Sequence, residues 1–303
     1  MYKLVEFTSE KAILRGRLYC PDSEKPLPII IMAHGYSATI EGMVADKFAE
    51  NFYIAGFAVL LYDHRGFGIS EGEPRQQTNR WVQARGYKDA IDFVFTIPQI
   101  NHSMIALWGD SMSASESIVV AAIDHRVKLI IAQIPACGDE FPPKDPDGKL
   151  FNSIKDSFFN ADVSATPETT IGPMPAVSFD QNTFQSMLSP LTAYRWFIEY
   201  GARYNTKWVN RVTHVDPDVH VPFNSVLCIP YIKAALLMVV AYEDEMEGAN
   251  SDIAKHAFSL APEPKKLFEV EGGHFGIVHY PSELFEKASK VQVNFIIEHF
   301  KNS

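Results

Sequence analysis

The chain has 303 residues, 47% of them hydrophobic, and a formal net charge of −10 that no basic block offsets. That length buries a large core, which favours one domain with an insertion, and the acidic balance argues against nucleic acid and anionic membrane surfaces as partners. Cys20, Cys137 and Cys228 lie far apart with no C-x-x-C pair, which argues against a disulfide framework or a zinc site and points to a reducing cytoplasm.

Lys3 to Thr8 and Ala12 to Tyr19 read as two strands around a polar turn, an antiparallel edge. Pro28 to Ala33 is a continuous apolar run, the pattern of a strand buried on both faces of a parallel sheet, and it empties into His34-Gly35-Tyr36-Ser37. Val44, Phe48 and Phe52 recur at helical spacing, with Gly56 where a helix ends. Phe57 to Tyr62 is the next buried strand, followed by a glycine-rich loop from Asp63 to Gly72. Trp81 to Phe95 is helical, with Ala84, Tyr87, Ile91 and Phe95 on one face. Met104 to Trp108 reads as a strand, Ser113 to Ala122 as a small-residue helix, and Val127 to Gln133 as a further strand.

Strand and helix in strict alternation predict an α/β fold, a mostly parallel central sheet with helices on both faces. Ligands of such sheets lie outside the carboxyl ends of the strands, so His34-Gly35-Tyr36, Asp63-His64-Arg65 and Gly109-Asp110-Ser111 are expected on one rim.

From Gly138 to about Pro230 the alternation stops. Proline, aspartate and threonine come first, then Phe158, Phe159, Phe179, Phe184, Tyr194, Trp196, Phe197, Tyr200, Tyr204 and Trp208. This stretch leaves the core after one strand and rejoins it before another, so a cap is expected over 138–230, inserted between core parts 1–137 and 231–303. Most of its aromatics should form the cap's own interior, and some should line a pocket, which favours an apolar or aromatic small-molecule acyl substrate. Ala234 to Ala241 resumes the strands, too short to span a membrane, and no signal peptide or membrane partner is expected. Ser251 to Leu260 reads as a helix, Lys266 to Val270 as the last strand and Glu283 to Phe300 as the closing helix.

The chemistry gathers where strands end. Ser111 sits at a sharp strand-to-helix bend, with Gly109 two residues before it and small Ser113 two after, the signature of a nucleophile elbow. Ester hydrolysis at neutral pH needs such a hydroxyl, an imidazole to take its proton and a carboxylate to orient the imidazole. Asp244 and His274 supply these in the order Ser, Asp, His, each just past a predicted strand. Glu243, Glu245 and Glu247 are rival acids and His279 is the rival imidazole. The backbone N–H groups of Met112 and Tyr36 are the candidate oxyanion donors. His34 reads as a brace for its turn, Asp63 and Arg65 as ties for the glycine-rich loop, and Asp110 as a structural acceptor. The remaining histidines lack metal-ligand spacing, and no metal or cofactor is expected.

His34-Gly35-Tyr36, the Tyr62 to Ser70 loop, Gly109-Asp110-Ser111-Met112-Ser113 and Gly273-His274 together resemble the α/β-hydrolase superfamily. Within it the chain is similar to dienelactone-hydrolase-like and X-Pro-dipeptidyl-peptidase-like serine hydrolases. Glu71 to Gln76 further resembles fungal proteins grouped with polyketide transferases. The resemblance covers roughly Ile13 to Cys137 and Tyr231 to Phe300, not the cap. It implies an α/β-hydrolase fold and a serine hydrolase that cleaves an ester, thioester or lactone, or an amide, through an acyl-enzyme on Ser111. The polyketide-transferase relatives often carry cysteine at the elbow, and the serine here favours an oxygen ester. An acyltransferase of secondary metabolism using the same intermediate, and a non-catalytic binder on this fold, are the alternatives. A homodimer is compatible with the sequence.

Overall fold

The computed structural model describes residues 1–203 and 206–300, so Tyr204 lies outside the described residues. A hairpin opens the chain: β1 (Tyr2–Ser9) pairs antiparallel with β2 (Ala12–Tyr19). Then come β3 (Leu27–Ala33), α1 (Ala45–Ile54), β4 (Ala58–Tyr62), a short β5 (Gln77–Asn79), α2 (Arg80–Val94), β6 (Ile100–Asp110), α3 (Met112–Ile123) and β7 (Val127–Gln133). Next are α4 (Lys149–Asn160), β8 (Thr170–Met174), α5 (Leu191–Trp196) and β9 (Val212–Val215). The chain closes with β10 (Ala235–Ala241), α6 (Ser251–Leu260), β11 (Lys265–Val270) and α7 (Glu283–Phe300).

Eight strands form one sheet in the order β1-β2-β4-β3-β6-β7-β10-β11. β2 runs antiparallel to its neighbours and all the pairings from β4 to β11 are parallel. The carboxyl ends of six strands therefore share one edge. β6 starts earlier than its apolar run because Ile100 pairs with Leu27 beyond a register shift, while polar Asn101, His102 and Ser103 hide that half of the strand from a hydrophobicity pattern.

Alternate residues of β3 feed two apolar layers. Ile29 and Ile31 pack with Tyr87 and Ile91 of α2 and Ile118 of α3, while Ile30 and Met32 pack with Phe48 and Phe52 of α1 and Phe295 of α7. Each of these fully buried side chains contributes about 1.5–3 kcal/mol. The sheet is thereby fixed from both faces, and its carboxyl edge becomes a rigid platform.

The stretch between β7 and β10 divides its contacts. Ile154 and Phe158 of α4, with Ile229 in the 3-10 turn Val226–Tyr231, join the layer over α3. β8 and β9 instead build a second sheet with β5, in the order β5-β9-β8, setting Thr78 opposite His214. Trp196, Phe197 and Tyr200 are buried as aromatics of an interior should be, whereas Phe159, Phe179 and Phe184 stay exposed. Phe179 and Phe184 fall among the turns of 178–187, and the Phe179 ring meets that of Tyr194 in α5, with centroids 5.8 Å apart.

β6 bends into α3 at Ser111, with φ 54° and ψ −115°. A Cβ on Gly109 would lie 2.4 Å from the backbone C and O of Ser113, so only glycine permits this crossing. Ser113 is accommodated because its hydroxyl is used: it accepts from the Asp110 N–H at 2.9 Å and donates to the Ala33 carbonyl at 3.0 Å. Gly109→Ala is expected to cost about 3 kcal/mol. A urea unfolding curve should show that loss as a lower midpoint with an unchanged slope.

Candidate active site

The Ser111 N–H donates to the Gln133 carbonyl at 2.9 Å, and the Ser111 carbonyl accepts from Ala136 N–H at 3.0 Å. These bonds to the end of β7 hold a backbone conformation that non-glycine residues avoid. Behind the bend, Trp108 Nε1 donates to Gln292 Oε1 at 2.9 Å and Gln292 Nε2 donates to Gln133 Oε1 at 2.6 Å. This buried chain ties β6 and β7 to α7, and a lone glutamine on the apolar face of the last helix was its only trace in the sequence.

Asp244 follows β10 and His274 follows β11. His274 Nδ1 lies 2.8 Å from Asp244 Oδ2, with the two side chains 5% and 3% exposed. Asp244 Oδ1 accepts from the Met246 N–H at 3.0 Å, so the carboxylate is fixed before it meets the ring. Glu245 has a different task. Its Oε2 accepts from the His274 backbone N–H at 2.8 Å, and its Oε1 accepts from the Thr192 hydroxyl. Burial pushes the Glu245 carboxyl up, and these two donors outweigh it, leaving the group below its ordinary value. A Cβ on Gly273 would lie 2.1 Å from Glu245 Oε2, so a larger residue before His274 would push this carboxylate out of its place. The rival His279 packs its ring against Tyr200 at 5.7 Å.

Ser111, His274, Met112 and Tyr36 all line one cavity of about 270 Å³. No hydrogen bond joins Ser111 Oγ to His274 among the described residues. Met112 opens α3, so its N–H has no acceptor within the helix. Tyr36 follows Gly35, where a Cβ would meet Asp110 O at 3.0 Å and Ser111 Cβ at 3.4 Å, so this loop presses against the bend. The cavity wall is mostly apolar, with Ile134, Leu188, Trp196, Phe197, Phe275 and Val278. Among the described residues, no group of three or more His, Cys, Asp or Glu could hold a metal ion, and no helix is long and apolar enough to cross a membrane.

The polar loops beneath the rim are braces. Asp63 accepts from the N–H groups of Ile40 and Ile69, both at 2.9 Å, and Arg65 donates to the Glu73 carbonyl at 2.7 Å. His34 Nδ1 lies 2.9 Å from the Gly35 carbonyl, and its Nε2 accepts from the His64 N–H at 3.3 Å. Burial holds the His34 ring below its ordinary pKa despite Asp63 beside it.

Asp110, beside Ser111, lines the cavity as well as accepting at the turn. Burial lifts its carboxyl from 3.8 to about 6, with His274 and the Gly35 N–H pulling the other way. The folded chain thus binds this proton more tightly than the unfolded chain. Stability is expected to fall by about 3 kcal/mol as pH rises from about 4 to about 6 and to change no further from this group above that. Asp110→Asn should therefore gain on the wild type near neutral pH and lose that gain near about pH 4, measured by urea unfolding at the two pH values.

The model of the X-Pro dipeptidyl-peptidase (S15) family matches residues 12–141. The thiohydrolase aneE of Aspergillus aculeatus is 42% identical over 135 residues, 44% of this chain and 42% of that protein. The match therefore spans less than half the length of that relative. The polyketide transferase af380 of Aspergillus fumigatus is 28% identical over 97% of both chains. Among solved structures, the α/β-hydrolase GrgF from a Penicillium species superposes with a TM-score of 0.72 at 23% identity, covering 99% of each chain. With its strand order and carboxyl-edge loops, the chain has the α/β-hydrolase fold.

Proposed function

We propose that this α/β-hydrolase-fold protein is a serine hydrolase acting on an ester, thioester or lactone of a medium-sized apolar or aromatic acid. One observation carries the reading: His274 is held by Asp244 at 2.8 Å and faces the same cavity as Ser111. In this account the Asp244 carboxylate accepts from Nδ1–H, leaving Nε2 free to take the Ser111 proton as Oγ attacks the substrate carbonyl. The N–H groups of Tyr36 and Met112 stabilise the resulting oxyanion. His274 returns the proton to the departing alcohol or thiol, and water then repeats the sequence on the acyl-enzyme. Residues 138–230 act as the cap between core parts 1–137 and 231–303, with Trp196 and Phe197 on the substrate side, and the protein works free in the cytoplasm.

Transfer of the acyl group to an alcohol or amine is the second reading, supported by the full-length similarity to a polyketide transferase. Hydrolysis of an acyl thioester, followed by thiol release, tests the proposal. Turnover lost in Ser111→Ala supports it, and equal rates in both proteins overturn it. Product analysis with added acceptors separates water from other nucleophiles.

A further inference from the structure

Arg80 plays no part in the chemistry above, yet the fold fixes it at the reaction cavity. It is the first residue of α2, behind the cap formed by Asn79, whose side chain accepts from the N–H groups of Trp81 at 3.1 Å and Val82 at 3.2 Å. Asn79 Nδ2 also donates to the Val163 carbonyl at 2.8 Å, and β5 just before it is clamped to β9. Arg80 lines the cavity that holds Ser111 and His274 and two neighbouring cavities as well.

Among the described residues the Arg80 side chain has no ion-pair or hydrogen-bond partner, and its Nε is buried. A guanidinium presents five donors in a planar fork, and leaving a buried donor unpaired is costly. The neighbouring acids do not neutralise it. Burial drives the Glu116 carboxyl far up, towards the neutral acid. Asp110 is engaged at the turn, and Asp139 and Glu247 line the cavity but are exposed, where water screens them. The positive charge acts inside the site: after burial, it is the second cause holding the His214 ring below its ordinary pKa. The cavity thus combines Ser111, apolar walls and a half-buried guanidinium whose Nε is buried and unpaired.

We propose that Arg80 binds a carboxylate carried by the acyl part of the substrate, so that the preferred substrates are esters or thioesters of acids with a second, anionic terminus. This rests on the serine-hydrolase reading and adds no chemical step to it. Guanidinium and carboxylate match as a bidentate pair, which gives geometric selection as well as attraction.

The test uses mono-p-nitrophenyl esters of straight-chain dicarboxylic acids, from adipate to sebacate, against the same esters with the far carboxyl methylated. At the best chain length the wild type should favour the free acid by about tenfold or more in kcat/KM, mostly through KM. Arg80→Met should bring that ratio to about one or below, and Arg80→Lys should keep part of it. A wild type indifferent to the free carboxyl at every length, or an equal ratio in a folded Arg80→Met, overturns the proposal. If Arg80→Met does not fold, Arg80→Gln takes its place beside the wild-type comparison. A neutral acyl thioester is run with a pantetheine and a phosphopantetheine leaving group. An Arg80-dependent preference for the phosphate alone overturns the acyl assignment. Ser111→Ala is run in parallel, because hydrolysis surviving there overturns the serine-hydrolase reading whatever Arg80 does.

Discussion

Ser111→Gly is expected to lose ester hydrolysis by about 10⁴-fold or more and, at the same time, to unfold at a higher temperature. The two effects have one cause. Ser111 sits at φ 54° and ψ −115°, a region open to glycine and strained for any residue with a Cβ. Its hydroxyl makes no hydrogen bond among the described residues, so removing it forfeits no polar partner. Relief of strain should contribute about 1 kcal/mol, or about 2 °C in Tm for a chain of this size. In the proposed mechanism, what remains of the rate comes from the Tyr36 and Met112 N–H groups and substrate binding. A variant that keeps the wild-type rate, or one that is inactive and markedly less stable, goes against this account of the bend.

Asp244→Asn is expected to lower kcat by about 10³- to 10⁴-fold with KM little changed. The asparagine side chain can turn its NH₂ to Nδ1, which moves the ring proton to Nε2 and leaves nothing to accept from Ser111. Glu245→Gln is the contrasting variant. Its amide oxygen still accepts from the His274 N–H, and the effect should stay below about tenfold, because Glu245 holds the loop and never touches the ring. Steady-state kinetics on one ester, with melting curves to confirm folding, reads both. A larger loss in Glu245→Gln than in Asp244→Asn reverses the two roles.

Much of this was legible from residue order. β7, α6 and α7 fall where their apolar patterns predict, because a strand buried on both faces and a helix with one apolar face write their period into the chain. That Ser111 and His274 share one cavity was legible for a similar reason: parallel strands bring their carboxyl-end loops to one edge, whatever their separation in the chain. The second sheet was not. Gln77-Thr78-Asn79 is too short and polar to signal a strand, and it becomes one only by pairing with a segment more than a hundred residues away. Arg80 was missed with it, since a lone arginine at a helix start reads as a solvated charge until the cavities around it are seen. The bond from the His274 N–H to Glu245 was likewise out of reach, because adjacent acids on one loop differ only in where the folded loop points them.

The most direct measurement is a peptide map after stoichiometric reaction with a fluorophosphonate. The account predicts a single adduct on the peptide that contains Ser111, absent in Ser111→Ala and formed far more slowly in His274→Ala. An adduct on any other residue, or equal labelling of the wild type and Ser111→Ala, contradicts it.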